Sequence, residues 1–332
     1  MTQRLFSAKF RAHTNIALIK YWGKRNKDLF LPVTSSLSLT LDAFYTDTEV
    51  EFDTSLTSDV FYLNGVLQND FHTAKVSRFL DLFRNEANRP GLFATVRSIN
   101  HVPTAAGLAS SASAFAALAG ACNSALDLKM DTQRLSTFAR QGSGSASRSL
   151  LGGFVEWHKG QGDDSDSSYA EAFDNADWDL AMVFVLVNRQ AKKIDSRLGM
   201  EHTNKTSPFY QLWPQEVAQD LAKIKPAIKA QDIDAVGAIA EHNAMKMHAM
   251  TIAANPSFTY WEPGSIEAMH IVQQLREDGI SAYITMDAGP NVKVLCRASD
   301  AERVKAAFVP RFGEEQIVIA KPGPNAYPLD KE

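Results

Sequence analysis

Cysteine is nearly missing: Cys122 and Cys296 are the only two in 332 residues. Two thiols far apart in apolar surroundings build no disulfide framework, so a packed core must hold the fold and a reducing, cytoplasmic compartment is expected. A positive surplus is missing too. Lys and Arg total 34 against 38 Asp and Glu, a formal charge of −4, whereas a nucleic-acid binder presents excess cations to displace phosphate counterions. Long apolar runs are also lacking. The strongest, Leu180 to Val187, falls far short of the roughly 20 residues of a membrane helix and reads as a buried strand. Arg4, Lys9 and Arg11 interrupt the first residues, so no signal-peptide core is expected there. No HExxH or paired Cys/His spacing occurs, so His13, His101, His242 and His248 read as structural. Nucleic acid and membranes are therefore not expected partners.

What is present has the balance of a globular chain: 45% hydrophobic and 22% charged residues, which excludes a long disordered or collagen-like protein. Short alternating runs at Leu37 to Leu41, Glu49 to Phe52 and Val60 to Leu63 read as strands, the last before an Asn64-Gly65 turn. Val76, Phe79, Leu80 and Phe83 form a helical stripe over 70–84, and Asp131 is placed to cap a helix to Arg140. The stretch 104–126 is dominated by Ala, Ser and Gly and can approach a neighbour or a ligand closely. Gly160 to Ser168 reads as a mobile surface loop. Pro214 opens a helix that Pro226 should kink or end; Ala235 to Met250 forms another, and Ser265 can cap a third that stops at Gly279. Strands at 280–286 and 292–296 follow, joined by a tight turn at 287–290. The pattern is α+β, strand-rich at first and then helices on antiparallel strands, with parts expected at 1–185 and 186–332.

Three small-residue loops carry the chemistry. Around Gly107, the run Pro103 to Ser113 leaves backbone N–H groups uncovered at a helix start, which can cradle phosphate; equally, it can be a small-residue helix packed in a core. It does not match GxxxxGK[ST]. In Gly142 to Arg148, serine hydroxyls precede an arginine that can hold a carboxylate or phosphate, or simply sit in solvent. Asp287 lies in a sharp bend where a turn-capping role is the default. Lys20, Lys24 and Arg25 form one basic cluster and Lys192, Lys193 and Arg197 another, either focusing a field on a multiply charged ligand or serving as solvated surface.

Together these segments resemble the diphosphomevalonate decarboxylases of the galactokinase, homoserine kinase, mevalonate kinase and phosphomevalonate kinase (GHMP) superfamily. The carrying residues are Asn15 to Lys24, Leu31 to Thr40, the Pro103 loop, Gly142 to Arg148, Ser196 to Met200, Met247 to Ala249 and Thr285 to Asn291, in order along nearly the whole chain. Thr34 stands where many members have Asn, Ala114 where many have Gly, and Ser147 where Cys is common. No charged group of the motifs is lost.

The resemblance implies a GHMP kinase fold, with an N-terminal part like ribosomal protein S5 domain 2, a ferredoxin-like C-terminal part and a deep cleft between them. It implies ATP-dependent decarboxylation of (R)-5-diphosphomevalonate, through phosphorylation of the tertiary 3-hydroxyl, to isopentenyl diphosphate, ADP, phosphate and CO₂. By the same resemblance, Asp287, Lys20 and Arg148 are the catalytic residues, with Arg148 on the substrate carboxylate. Tyr21, Lys24, Ser143, Ser145, Ser196 and Arg197 bind the rest of the substrate. Pro103, Ala106, Gly107, Leu108, Ala109, Ser110 and Ser111 line ATP, with Mg²⁺ on unidentified ligands. A cytoplasmic homodimer is expected. The rivals are a kinase that stops at phosphorylation and an inactive metabolite sensor.

Overall fold

Alternating β-branched and aromatic residues in the first half produce one extended sheet in the computed structural model, which describes residues 6–101, 110–188 and 194–330. Strand β1 (Phe6–Ile19) runs into a small hairpin, β2 (Lys24–Asn26) and β3 (Leu31–Pro32), and returns as β4 (Ser36–Asp53), antiparallel to β1. Strands β5 (Val60–Leu63) and β6 (Val66–Leu67) flank the Asn64-Gly65 turn, where both residues have positive φ as that dipeptide favours. Next come β7 (Phe93–His101), β8 (Phe154–Trp157) and β9 (Ala170–Asp174). At 18 residues, β4 is long enough to serve two neighbours: its start pairs with β8 and its end with β7.

Helices α1 (Asp70–Glu86), α2 (Ser110–Ala125) and α3 (Thr132–Gly142) cover one face of this sheet. The expected stripe on α1 is buried, and the Asp131 carboxylate accepts from the Arg134 N–H at 2.8 Å. The other face, with Ile16, Leu18, Leu37 and Leu39, packs against α5 (Trp213–Lys229) and α6 (Ile233–Ile252), which follow α4 (Ser196–Thr206).

The second sheet is antiparallel. It consists of β10 (Ala181–Val185), β11 (Ala282–Thr285), β12 (Val292–Cys296) and β13 (Ile317–Ala320), in the order β11–β12–β10–β13. All five residues of β10 are buried, because both faces are covered. Ala181, Val183 and Val185 meet α7 (Pro263–Glu277) and α8 (Ala301–Phe312), while Met182 and Phe184 join the core shared with the first sheet. A last strand, β14 (Tyr327–Leu329), crosses back to pair with β1.

Four local expectations change. Pro226 neither ends nor removes the last turn of α5, since the Ala230 N–H still reaches the Pro226 carbonyl at 2.9 Å. Helix α7 starts before Ser265, whose hydroxyl accepts the Glu262 N–H at 3.1 Å and donates to the Pro290 carbonyl at 2.7 Å. The serine-rich segment Gly144–Leu150 is a 3-10 helix rather than a loop. The segment 160–168 is pinned: the fully buried Arg140 guanidinium donates to the Ser165 and Ser168 carbonyls, and Trp157 Nε1 donates to Ser168 Oγ at 3.1 Å.

Candidate active site

Both sheets send side chains to one place. The end of β1 delivers Lys20, 2% exposed, whose Nζ donates to Asp287 Oδ1 at 2.8 Å and to the Ala17 carbonyl at 2.7 Å. Asp287 lies in the turn between β11 and β12, which the Ser265–Pro290 bond ties to α7. From β12, Lys293 Nζ stands 3.1 Å from the other carboxylate oxygen, Oδ2. The lysines are almost wholly enclosed, whereas Asp287 keeps 31% of its side-chain exposure. Burial opposes ionisation of Asp287, but the two ammonium groups outweigh it and hold the carboxyl well below its usual range. Burial lowers Lys20 to about 8, against the attraction of Asp287 and with Lys293 and Arg148 adding repulsion. At neutral pH the cluster is two cations around one carboxylate.

The Lys20 backbone is fixed from the far side. Its N–H donates to Asn243 Oδ1 of α6 at 2.8 Å, and Asn243 Nδ2 donates in turn to Asp220 Oδ2 of α5 at 2.8 Å. Lys246 holds Asp220 at 2.7 Å. Helices of the second half thus set where a strand of the first half ends.

Arg148, from the 3-10 helix, is 2% exposed. Its Nε donates to Asn15 Oδ1 at 3.2 Å and Ser38 Oγ at 3.0 Å, and Nη1 donates to Ser36 Oγ. None of these partners is charged. Burial pushes the guanidinium down to about 10, with Asp287 pulling it back up, so it stays cationic at neutral pH. The Trp157 ring, 5.7 Å from the guanidinium, is a further neutral partner. A buried cation with no anion in direct contact is costly, and a bound carboxylate or phosphate would offset that cost. Asn15 also donates to the Ser145 carbonyl at 2.9 Å and Ser149 Oγ at 2.8 Å, locking the 3-10 helix to β1. Tyr21 packs on Trp157 with ring centroids 4.8 Å apart, and its buried hydroxyl has no partner among the described residues. Gly144 permits this packing: a Cβ there would come within 2.9 Å of both rings.

A second cationic group borders the first. Lys24 Nζ lies 3.8 Å above the Phe30 ring and the Arg197 guanidinium 5.3 Å from the same ring. Lys75 of α1 sits 4.8 Å over Phe115. Burial and the charge of Arg197 lower both lysines to about 8. Asp195 pulls the other way, but none of the three cations has a salt bridge among the described residues. Beside them Ser143 Oγ is 3.2 Å from Ser111 Oγ and 3.4 Å from Ser145 Oγ. Crowded cations with no salt bridge among the described residues, next to hydroxyls at the start of α2, fit a polyphosphate.

The structure therefore brings Lys20 and Asp287 into direct contact, Arg148 near them, and Ser111, Ser143 and Ser145 into one hydroxyl group. Ser110 opens α2 and is exposed; Ser196 opens α4 with no hydrogen bond to the cluster. Pro103, Ala106, Gly107, Leu108 and Ala109, with Lys192 and Lys193, lie outside the described residues. Sequence reasoning missed Lys293 and Lys75. A lysine in the otherwise apolar strand VKVLC was the available signal for the first; nothing set the second apart from a solvated helix charge.

Comparison with known proteins places the chain in a family. Residues 12–170 match the diphosphomevalonate decarboxylase-like N-terminal domain, and residues 181–323 match the mevalonate 5-diphosphate decarboxylase C-terminal domain. The diphosphomevalonate decarboxylase of Candida albicans is 34% identical over 323 residues, covering 93% of this chain and 89% of the relative. The chain belongs to the diphosphomevalonate decarboxylase family. Solved decarboxylase structures agree in fold throughout. The Staphylococcus aureus mevalonate diphosphate decarboxylase superposes with a TM-score of 0.95 at 44% identity, covering 98% of this chain and 99% of that one. A structure of MDDEF in complex with MVAPP, AMPPCP and magnesium gives 0.93 at 52% identity, covering 99% and 100%. The α+β architecture is thus that of the decarboxylases.

Proposed function

We propose that the cluster of Lys20, Asp287 and Arg148, with the adjoining cations, is where this chain carries out the ATP-dependent decarboxylation of (R)-5-diphosphomevalonate to isopentenyl diphosphate, ADP, phosphate and CO₂. The observation that carries the assignment is the Arg148 guanidinium, buried with only neutral partners beside a carboxylate that already holds two lysines. It asks for an anion, and the substrate carboxylate is the group that must be held while its bond to carbon breaks.

The chemistry divides the labour. A tertiary hydroxyl leaves poorly until it becomes a phosphate ester. Asp287, kept ionised, accepts a hydrogen bond from the 3-hydroxyl, turns its oxygen toward the γ-phosphate and takes up the hydroxyl proton late, as the new bond to phosphorus completes. Lys20, whose Nζ lies 2.8 Å from Asp287 Oδ1, stabilises charge as the phosphate transfers and leaves. Arg148 holds the carboxylate in line with the departing phosphate. Tyr21, Lys24, Ser143, Ser145, Ser196 and Arg197 take the diphosphate end of the substrate. The 103–111 segment and Lys75 take ATP. Magnesium supplies neutralisation of triphosphate charge during transfer.

On this reading 1–185 is chiefly the nucleotide-handling part and 186–332 closes the cleft with Asp287. The working form is a cytoplasmic homodimer. The deciding assay supplies diphosphomevalonate and MgATP and measures ADP and CO₂ together. Equal release of both supports the decarboxylase; ADP alone makes the chain a kinase, and neither makes it a sensor. The D287N variant should lose both products while binding substrate within a few-fold of wild type; normal turnover would overturn the role given to Asp287.

A further inference from the structure

Strand β12 is buried at every position, and four of its five residues, Val292, Val294, Leu295 and Cys296, are apolar. The fifth is Lys293, 1% exposed, paired in register with Phe184 on one side and Thr285 on the other. Burying an ammonium in a strand centre costs several kcal/mol unless it is paired. Its pair is Asp287 Oδ2 at 3.1 Å, so the strand spends a core position on the carboxylate that Lys20 holds by its other oxygen. Lys20 alone would satisfy the pairing of Asp287. Two lysines on two oxygens do more: they fix the plane of the carboxylate and leave its exposed edge to face a ligand.

We infer that Lys293 is a positioning residue for the reaction, which holds Asp287 ionised and oriented so that Lys20 is free to follow the transferring phosphate. The inference rests on the role proposed for Asp287 above. Four charged or titratable groups bear on that carboxylate: Lys20 at the end of β1, Lys293 on β12, Arg148 on the 3-10 helix and His248 on α6. His248 is pushed down to about 4, chiefly by burial, and Lys20 titrates near 8, so both keep their charge states between those values. In that window, removing Lys293 leaves burial opposed by one ammonium where there were two, and protonation of Asp287 moves up toward it.

The test is the pH profile of kcat for K293Q, K293R and wild type, followed as CO₂ and ADP release, with D287N beside them. The K293Q carboxyl, opposed by one ammonium instead of two, protonates at higher pH than in wild type, so the ratio of K293Q to wild-type kcat should fall as pH is lowered from about 7 toward about 5. K293R, which restores the charge, should recover a flat ratio. A K293Q loss that is the same at every pH means a merely structural role, and a profile like wild type means none; either overturns the inference. Should K293Q not fold, K293M takes its place, and if both are unfolded at about pH 7 the lysine holds the fold rather than the carboxylate and the inference falls. An active D287N overturns the role of Asp287 itself; an inactive D287N with a wild-type-like K293Q overturns only the part given to Lys293.

Discussion

Replacing Arg148 by lysine keeps a positive charge in the site and removes the planar fork. The structure says what that costs. Nε serves Asn15 Oδ1 and Ser38 Oγ, Nη1 serves Ser36 Oγ, and Nη2 has no protein acceptor among the described residues, leaving it for a ligand. A lysine ammonium cannot reach all of these at once. Ser36 and Ser38 are fully buried, so hydroxyls stranded without a donor should cost about 1–3 kcal/mol of stability. In catalysis, one charge-assisted contact to the substrate carboxylate is lost, worth about 1.5–3 kcal/mol, or roughly ten- to hundredfold in kcat/KM. The assay follows ADP and CO₂ release for R148K at a temperature where urea denaturation shows it folded. A methyl-for-carboxylate substrate analogue isolates the contact: wild type and R148K should bind it equally, because the group that distinguishes them is gone. An R148K kcat/KM within about threefold of wild type would refute the carboxylate anchor. So would an equal loss of affinity for substrate and analogue.

Three further outcomes follow from the described geometry. Because burial lowers Lys20 to about 8, kcat should fall as pH rises through that value. The folded chain releases this proton more readily than the unfolded one, so between there and the ordinary lysine range the group adds stability as pH rises; Tm should not drop with the activity, and a parallel drop would mean unfolding. Lys75→Ala should raise the KM for ATP severalfold with little change in kcat, since the cation stands over Phe115 of α2, the helix whose start is given to ATP, and not at Asp287; an unchanged KM removes it from the nucleotide site. Away from the site, Asp59 pairs with Arg84 at 2.9 Å and both side chains are at most 3% exposed. Asp59→Ala should therefore cost about 3–5 kcal/mol in urea melts while the kcat of the folded fraction stays intact, and a loss under 1 kcal/mol would contradict the buried pairing.

The parts of this molecule legible from sequence are those governed by neighbours in the chain. The stripe on α1, the Asp131 cap and the fully buried β10 follow from period, side-chain reach and apolar run length, all local. Lys20, Arg148 and Asp287 were singled out through family motifs, and no spacing rule could have brought Lys20 to Asp287 across 267 positions or to Asn243 across 223. The serine-rich 144–150 segment looked like a loop because its residues favour turns; it is helical because Asn15 and the Arg148 contacts hold it against β1. The 160–168 segment looked loose for the same compositional reason, and buried Arg140 draws its carbonyls inward. Lys75 escaped because a lysine on a helix face announces nothing until its surroundings are known, and Lys293, though the one charge in the apolar strand VKVLC, has a partner that no local pattern names.

The return of the chain to its own beginning sets a timetable. Residues 327–329 lie alongside residues 9–11, and the Gly323 N–H reaches the Thr40 carbonyl at 2.8 Å while its own carbonyl receives the Gly153 N–H at 3.2 Å. During synthesis the first sheet is therefore made early and finished late, with one flank of β1 bare until some three hundred further residues have been translated. A ribosome-bound chain halted before residue 323 carries that open flank, ready to pair with whatever strand arrives first.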